Sequence, residues 1–220
     1  REHREYGEAL QDFRFAQELD PDLAQAYYQI GRLFLETGEF NAALGHLDEF
    51  LAMQPENLRG MKARARALAG KEEYIAAAEQ YRELIVVSGH AGPEIYIERA
   101  RALQNAGPNH YQDALSGLDD GIRKLGNISV IQLAAVDIAR SNSDWSEALD
   151  RLDILLSEAA RKEQLLEIKG DVLLQAGDSV EAQNSYRSAI SAVDNLPSSQ
   201  RNTQAMSALR ARVTAKLDGI

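Results

Sequence analysis

The chain is short of several residue types whose absence excludes whole classes of protein. It has no cysteine among its 220 residues, which excludes disulfides, thiol catalysis and cysteine-ligated metal sites. It contains no run of about 18 apolar residues, so a membrane-spanning helix is not predicted. Acidic residues outnumber basic ones by 34 to 24, giving a net charge of −10. This balance disfavours general nucleic-acid binding, which depends on cations that neutralise phosphates.

Motifs for catalysis and metal binding are also missing from the sequence. The four histidines are scattered, with no pair at zinc-ligand spacing. The Gly70-Lys71 pair lacks the upstream glycine of a phosphate-binding loop, and no serine stands in a nucleophile-elbow pattern. The sequence therefore predicts no enzyme, no cofactor and no metal.

What the chain does contain is an internal repeat. An alanine recurs at steps of 34, 34, 37, 34 and 34 residues, at Ala9, Ala43, Ala77, Ala114, Ala148 and Ala182. Four positions after each alanine stands a large apolar residue: Phe13, Leu47, Tyr81, Leu118, Leu152 and Tyr186. A period near 34 is typical of helix-turn-helix units that stack, because one unit cannot bury its apolar face alone.

The repeats resemble the tetratricopeptide repeat (TPR) family. The clearest copy has Tyr27, Ile30-Gly31 and Phe34 in its first helix, then Ala43 and Pro55. The resemblance implies an all-α fold, a right-handed superhelical solenoid of antiparallel helix pairs with a C-terminal capping helix. Residues 96–103 and 115–126 are also similar to stand-alone bacterial TPR proteins, many of them exported. That likeness favours the bacterial periplasm or export, with the cytoplasm as the alternative.

The register of the repeats predicts one TPR domain over residues 1–220. Its expected parts are the second helix of a truncated repeat at 1–21, five full repeats at 24–57, 58–92, 93–128, 129–162 and 163–196, and a capping helix at 198–218. Since the chain begins without methionine and without that first helix, we expect a fragment of a longer protein. The capping helix should pack its apolar stripe on the last repeat. Its basic residues should mostly face water: Arg201, Arg210, Arg212 and Lys216.

In the TPR family the first helices line a concave groove in which a ligand usually lies. Counting the small residue of each first helix as position 8, positions 2, 5, 9, 12 and 13 face this groove. The partner-binding candidates at these positions are Tyr28, Arg32, Arg59, Lys62, Arg66, Ile97, Arg101, Val130, Leu133 and Asp137. Position 9 carries arginine in three successive repeats, and guanidinium groups suit carboxylates. Alternatively, these arginines pair with acidic residues of adjacent repeats, where exposed pairs contribute little.

The helix around residues 128–139 is apolar on nearly every side. Because Val130 and Leu133 fall at groove positions, we expect a hydrophobic anchor site there. The sequence thus predicts a scaffold that binds a protein or peptide, acidic and with an apolar anchor, in its groove. The alternative is a non-catalytic regulatory or assembly arm of a larger enzyme or complex. The expected oligomeric state is a monomer or a weak homodimer, the latter formed through Ile85-Val86-Val87.

Overall fold

The structure, a computed structural model, describes residues 2–220, with side chains from Gly7 onward. Its α-helices are α1 (Glu2–Leu19), α2 (Ala24–Thr37), α3 (Phe40–Met53), α4 (Leu58–Gly70), α5 (Tyr74–Ser88), α6 (Pro93–Ala106), α7 (Tyr111–Leu125), α8 (Ser129–Ser141), α9 (Trp145–Glu158), α10 (Glu163–Gln175), α11 (Ser179–Asp194), α12 (Ser198–Arg201) and α13 (Gln204–Asp218). A short 3-10 helix, Pro108–His110, precedes α7. No strand occurs in this part of the chain, so the predicted all-α class is confirmed. Between residues 2 and 220, no helix has the length and apolar character needed to cross a membrane.

Consecutive helices pack as pairs, α2 with α3, α4 with α5, α6 with α7, α8 with α9, and α10 with α11. Each pair lies within one of the five expected repeats. The chain divides into two compact units, one ending at Leu125 and the other beginning at Gly126. The single domain over residues 1–220 stays a prediction.

Close contact between a small residue and a large one joins the two helices of a pair. A Cβ atom added to Gly31 of α2 would lie 2.7 Å from Cγ of Leu47 on α3. In α10, a Cβ on Gly170 would lie 2.6 Å from Cδ1 of Tyr186 on α11. The repeated alanines of the second helices are completely buried from Ala43 to Ala182. The periodic residues of the sequence are therefore core residues, which fix the distance between paired helices.

Local signals in the turns begin and end the helices. Gly38 follows α2 with φ at 79°, a left-handed conformation that favours glycine, and its N–H is directed to carbonyls of the last turn. At the start of α4, the N–H groups of Arg59 and Gly60 donate to Oδ1 of Asn57 at 3.2 Å. Such a side-chain cap satisfies donors that have no partner within the helix. These turns set where each first helix begins and therefore which of its residues share a face.

The prediction of one capping helix over residues 198–218 was wrong in one respect, because the structure has two helices there. The four-residue α12 ends before Asn202, and α13 begins after Thr203. Thr203 has an extended backbone, and the N–H of Met206 donates to its hydroxyl at 3.3 Å. This cap stabilises a new helix start rather than a continuous helix. The apolar stripe of α13 packs on the buried residues of α10 and α11 around Tyr186.

The close approach at Gly170 generates a prediction about stability. Gly170→Ala should lower the free energy of unfolding of the second unit by roughly 1–3 kcal/mol, because the added methyl meets the buried Tyr186 ring. The measurement is urea unfolding followed by circular dichroism. The matched control is Gly45→Ala in α3, where no atom lies within 4 Å of the added Cβ. That change should stabilise the first unit by about 0.5–1 kcal/mol through helix propensity. Equal effects of the two substitutions would contradict the role of Gly170.

Candidate functional site

The first unit contains a depression between α2 and α4, which pack side by side. Its volume is about 370 Å³, and its lining residues are Tyr28, Arg32, Leu35, Glu36, Arg59, Lys62, Ala63 and Arg66. On both helices these residues follow one another at steps of one, three or four, so they share one face of each helix. Five of the ten sequence-predicted candidates are brought together here. We call this depression the α2/α4 groove.

A second depression of about 350 Å³ adjoins the α2/α4 groove near the beginning of both helices. Tyr28 and Arg59 line both depressions. The Tyr28 ring packs on Phe50 of α3, with 5.1 Å between the ring centroids and a tilt of 42°. The two depressions therefore share an aromatic wall and one exposed guanidinium group.

The charges that line the groove are mainly basic. Four cations and the single anion Glu36 give a net charge of 4 − 1 = +3. Arg32 is held by its own helix, since its Nη2 lies 3.2 Å from Oε1 of Glu36. Nζ of Lys62 lies 3.5 Å from Oε1 of Glu94 on α6. Arg59 is exposed and forms no ion pair with any residue that the structure describes.

Arg66 lies in a more tightly bonded arrangement than the other groove cations. Its guanidinium donates through two nitrogens to the carboxylate of Glu98 on α6, with Nε at 3.2 Å. The hydroxyl of the buried Tyr81 interacts electrostatically with this carboxylate. Burial alone would raise the pKa of Glu98, but the hydrogen bonds from Arg66 and the interaction with Tyr81 outweigh it and lower that pKa below its usual range. Here the alternative weighed from the sequence is correct, because Arg66 pairs with the adjacent repeat.

Two further candidates lie on α6, with different outcomes. Arg101 is exposed and has no ion pair among the described residues. Ile97 was expected to face a ligand, but only 7% of it is exposed. Burial of an isoleucine side chain is favourable because it removes apolar surface from water. Counting positions along a helix does not show how deeply a side chain is buried. Ile97 is therefore a core residue and is not accessible to a partner.

The remaining candidates lie on α8 in the second unit and differ in exposure. Val130 is 49% exposed. Leu133 is half-buried and packs against the core cluster that contains Val136 and Leu152. Asp137 is exposed, with Oδ1 lying 3.8 Å from Nη1 of Arg140. The sequence predicted that this helix is apolar on nearly every side. Among its three candidate residues, Val130 alone presents a large exposed apolar surface.

The expected self-association segment is also only partly exposed. Ile85 is buried at 9% exposure, whereas Val86 is 72% exposed. Dimerisation through this segment stays a prediction.

The most extensive charged cluster joins α13 to α10 in the second unit, and sequence reasoning missed it. Nε and Nη2 of Arg212 lie 2.8 and 2.7 Å from the two carboxylate oxygens of Glu167. Nζ of Lys216 lies 2.9 Å from Glu167 Oε1 and 2.7 Å from Asp171 Oδ1. The Tyr186 hydroxyl donates to that same Asp171 oxygen at 2.7 Å. The acids are four residues apart on α10 and the bases four apart on α13, a matching spacing that could have revealed the contact.

The expectation that the basic residues of α13 mostly face water holds for Arg212, whose side chain is 54% exposed while it bonds to Glu167, but not for Lys216, whose side chain is only 30% exposed. Glu167 is buried at 6% exposure, and a buried carboxylate requires partners. The hydrogen bond from Arg212, followed by that from Lys216, holds the pKa of Glu167 below its usual range despite burial. Burial opposes the charge of Lys216, but its bonds to Asp171 and Glu167 raise its pKa. The arrangement is a structural clamp between two helices.

Comparison with known proteins agrees with this arrangement of helix pairs. A model of the tetratricopeptide repeat-like domain matches residues 101–218, and a tetratricopeptide repeat model matches residues 28–94. The chain belongs to the tetratricopeptide repeat family. Proteins of this family are generally non-catalytic scaffolds that mediate protein–protein interactions.

Solved structures of TPR proteins share the fold at low sequence identity. YrrB, described as a TPR protein with an unusual peptide-binding site, is 15% identical, with a TM-score of 0.58 over 92% of this chain and 97% of its own. MamA from Desulfovibrio magneticus is 13% identical, with a TM-score of 0.59 over 77% and 94% of the two chains. The C-terminal part of a TPR protein from Cytophaga hutchinsonii is 13% identical, with a TM-score of 0.70 over 88% and 76%. No curated protein sequence matches the chain.

The different environments of Arg66 and Arg101 predict different effects of charge reversal. Arg66→Glu should lower the free energy of unfolding of the first unit by roughly 1–3 kcal/mol, because it places a carboxylate against Glu98 and removes its partner. Arg101→Glu, the matched change at an exposed position of α6, should leave stability within about 0.5 kcal/mol of the natural chain. Urea unfolding of both variants measures the difference. Similar losses for the two variants would show that Arg66 has no special role.

The Glu167 cluster predicts a pH dependence of stability. Because the pKa of Glu167 is lowered by folding, its stabilising contribution is present above the unfolded value near 4.5 and is lost as pH falls through the lowered value. At pH 7, Glu167→Gln should destabilise the second unit by about 1.5–3 kcal/mol. The difference from the natural chain should shrink below pH 4. Thermal unfolding at a series of pH values tests this, and a difference that does not change with pH would contradict it.

Proposed function

We propose that this TPR chain is a protein-interaction module whose α2/α4 groove binds an extended acidic peptide with an apolar side chain. The supporting observation is Arg59, which lies between two adjoining depressions, exposed and without an ion-pair partner among the described residues. A guanidinium group in this position can form two parallel hydrogen bonds to a carboxylate. Arg59 is therefore the main anchor for an acidic ligand.

The spacing of the groove cations favours a particular acidic pattern. Arg59 and Lys62 are three residues apart on α4, so their Cβ atoms lie about 5–6 Å apart on one face. In an extended peptide, residues i and i+2 point to the same side and are separated by roughly 6.6–6.8 Å. Two acidic residues separated by one other residue would thus reach both cations at once.

The apolar part of the groove lies beside these cations. Tyr28 supplies an aromatic ring at the shared end of the two depressions, while Leu35 and Ala63 lie further along the groove. An apolar side chain two residues from the acidic pair would face the same side of an extended peptide. Binding there would remove apolar surface of both partners from water. A leucine at this position is the simplest ligand side chain to test.

Rigid helix packing supports the proposal energetically. The groove side chains stand on α2 and α4, whose faces are fixed by buried contacts such as Gly31 against Leu47. A fixed surface loses little conformational entropy on binding, so most of the ordering cost falls on the ligand. The reported peptide-binding site of YrrB shows that the TPR fold can serve this purpose in that protein.

Binding of designed peptides tests the proposal. The probe is a fluorescently labelled eight-residue peptide containing Leu-Ser-Glu-Ser-Glu, compared with versions in which both glutamates are glutamine or lysine. The natural chain should prefer the glutamate peptide in fluorescence anisotropy. Arg59→Glu should weaken its binding about tenfold or more through loss of a charge-assisted bond. Because Arg59 lies in the first turn of α4, an acidic residue there is compatible with the helix.

The matched control is Arg187→Glu in the second unit. Arg187 is exposed, and among the described residues it bonds only to the uncharged side chains of Gln183 and Asn184, so this variant makes the same charge change outside the groove. It should bind the glutamate peptide like the natural chain. Equal weakening by both substitutions would indicate a general charge effect. Equal binding of the glutamate and glutamine peptides would overturn the proposed function.

A further inference from the structure

We infer that Glu94 competes with the ligand carboxylate for Lys62 and thereby sets the affinity of the α2/α4 groove for acidic peptides. This inference rests on the proposed function. It assigns a specificity-determining role to a residue of α6 that does not line the groove itself. Its basis is the difference between the two ion pairs that join α4 to α6.

The pair formed by Lys62 and Glu94 is the looser of the two. It consists of one contact at 3.5 Å, and the side chains of Lys62 and Glu94 are 28% and 55% exposed. Glu98 bonds to two nitrogens of Arg66, and the side chains of Arg66 and Glu98 are 49% and 22% exposed. A single long contact to an exposed carboxylate exchanges partners readily, whereas breaking the doubly bonded pair would leave the largely covered carboxylate of Glu98 without its partner. Lys62 is therefore the exchangeable cation of the groove, and Arg66 is not.

The Glu94 carboxylate also has a second source of stabilisation when Lys62 binds a ligand carboxylate instead. It lies in the first turn of α6, where the partial positive charge of the helix end favours a carboxylate. Its carboxylate lies over Gly92, so close that a Cβ added to Gly92 would overlap one of its oxygens. The absence of a side chain at Gly92 thus leaves room for the carboxylate beside the helix end. Release of Lys62 does not leave Glu94 without a favourable environment.

The consequence is that a ligand carboxylate replaces an internal one at Lys62. The net free energy gained at Lys62 is the difference between its ion pair with the ligand and its ion pair with Glu94. The groove therefore binds acidic peptides more weakly than it would if Glu94 did not compete for Lys62. An uncharged peptide does not compete for Lys62 and is insensitive to Glu94. This distinction separates competition from a purely structural role, since a structural change would alter the binding of both kinds of peptide.

The test is Glu94→Gln in the full chain, with the glutamate and glutamine peptides defined above as probes. Affinity for the glutamate peptide should rise about twofold to fivefold, the range expected for a surface ion pair of this kind. Affinity for the glutamine peptide should stay unchanged. The matched control is Glu79→Gln on α5, because the Glu79 side chain is also 55% exposed and paired with an arginine, Arg82. This control should leave the binding of both peptides unchanged.

The outcomes separate the two claims. If the natural chain prefers the glutamate peptide and Glu94→Gln leaves that affinity unchanged, or changes both peptides equally, the competition is overturned and the groove function stands. If the natural chain shows no preference for the glutamate peptide, both claims fall. As a second measurement, the carboxyl carbon of Glu94 in isotope-labelled protein should shift when the glutamate peptide binds. Binding without that shift would also overturn the competition.

Discussion

The close approach of a glycine to a large side chain in the α2–α3 and α10–α11 pairs is the constraint on which the rest of the structure depends. Gly31 against Leu47 and Gly170 against Tyr186 leave no space for an additional methyl group. This contact sets the distance and rotation of the first helix relative to the second. It therefore also decides which residues of a first helix remain on its other face. The candidate groove is a consequence of core packing, because its side chains occupy the face that the core leaves free.

Charge on that free face serves two different purposes. Some pairs hold neighbouring helices together, as Arg66 does with Glu98 in the first unit and as Arg212 does with Glu167 in the second. These charges are compensated inside the protein and add little to ligand recognition. Arg59 has no such partner among the described residues, and Lys62 has only a loose one. Under the proposed function, ligand preference depends on the few charges that helix stacking does not use, and not on the net charge of the chain.

The sequence predicted the helices and the convergence of the groove residues better than it predicted their environments. A fixed period assigns each residue to a face, so the repeat register alone places Tyr28, Arg32 and Arg59 in one groove. The period cannot show how deeply a side chain is covered, which is why Ile97 was misplaced. Nor can it show which carboxylate a long arginine or lysine side chain will reach. The partners of Lys62 and Lys216 depend on rotamers and on the packing of the next helix.

The last long helix, α13, shows how a register that was overlooked in the sequence explains the charged clamp. An acid and a base sixteen residues apart join a second helix to the next long helix in three places, Asp48 with Arg64, Asp153 with Lys169, and Asp194 with Arg210. The third pair places α13 in the same register as a first helix. In that register Arg212 and Lys216 bond to α10 residues four positions earlier, Glu167 and Asp171. Glu98 and Glu94 of α6 instead bond to α4 residues three positions later, Arg66 and Lys62. The two contacts between successive first helices therefore differ in their offset along the helix as well as in which helix carries the acids.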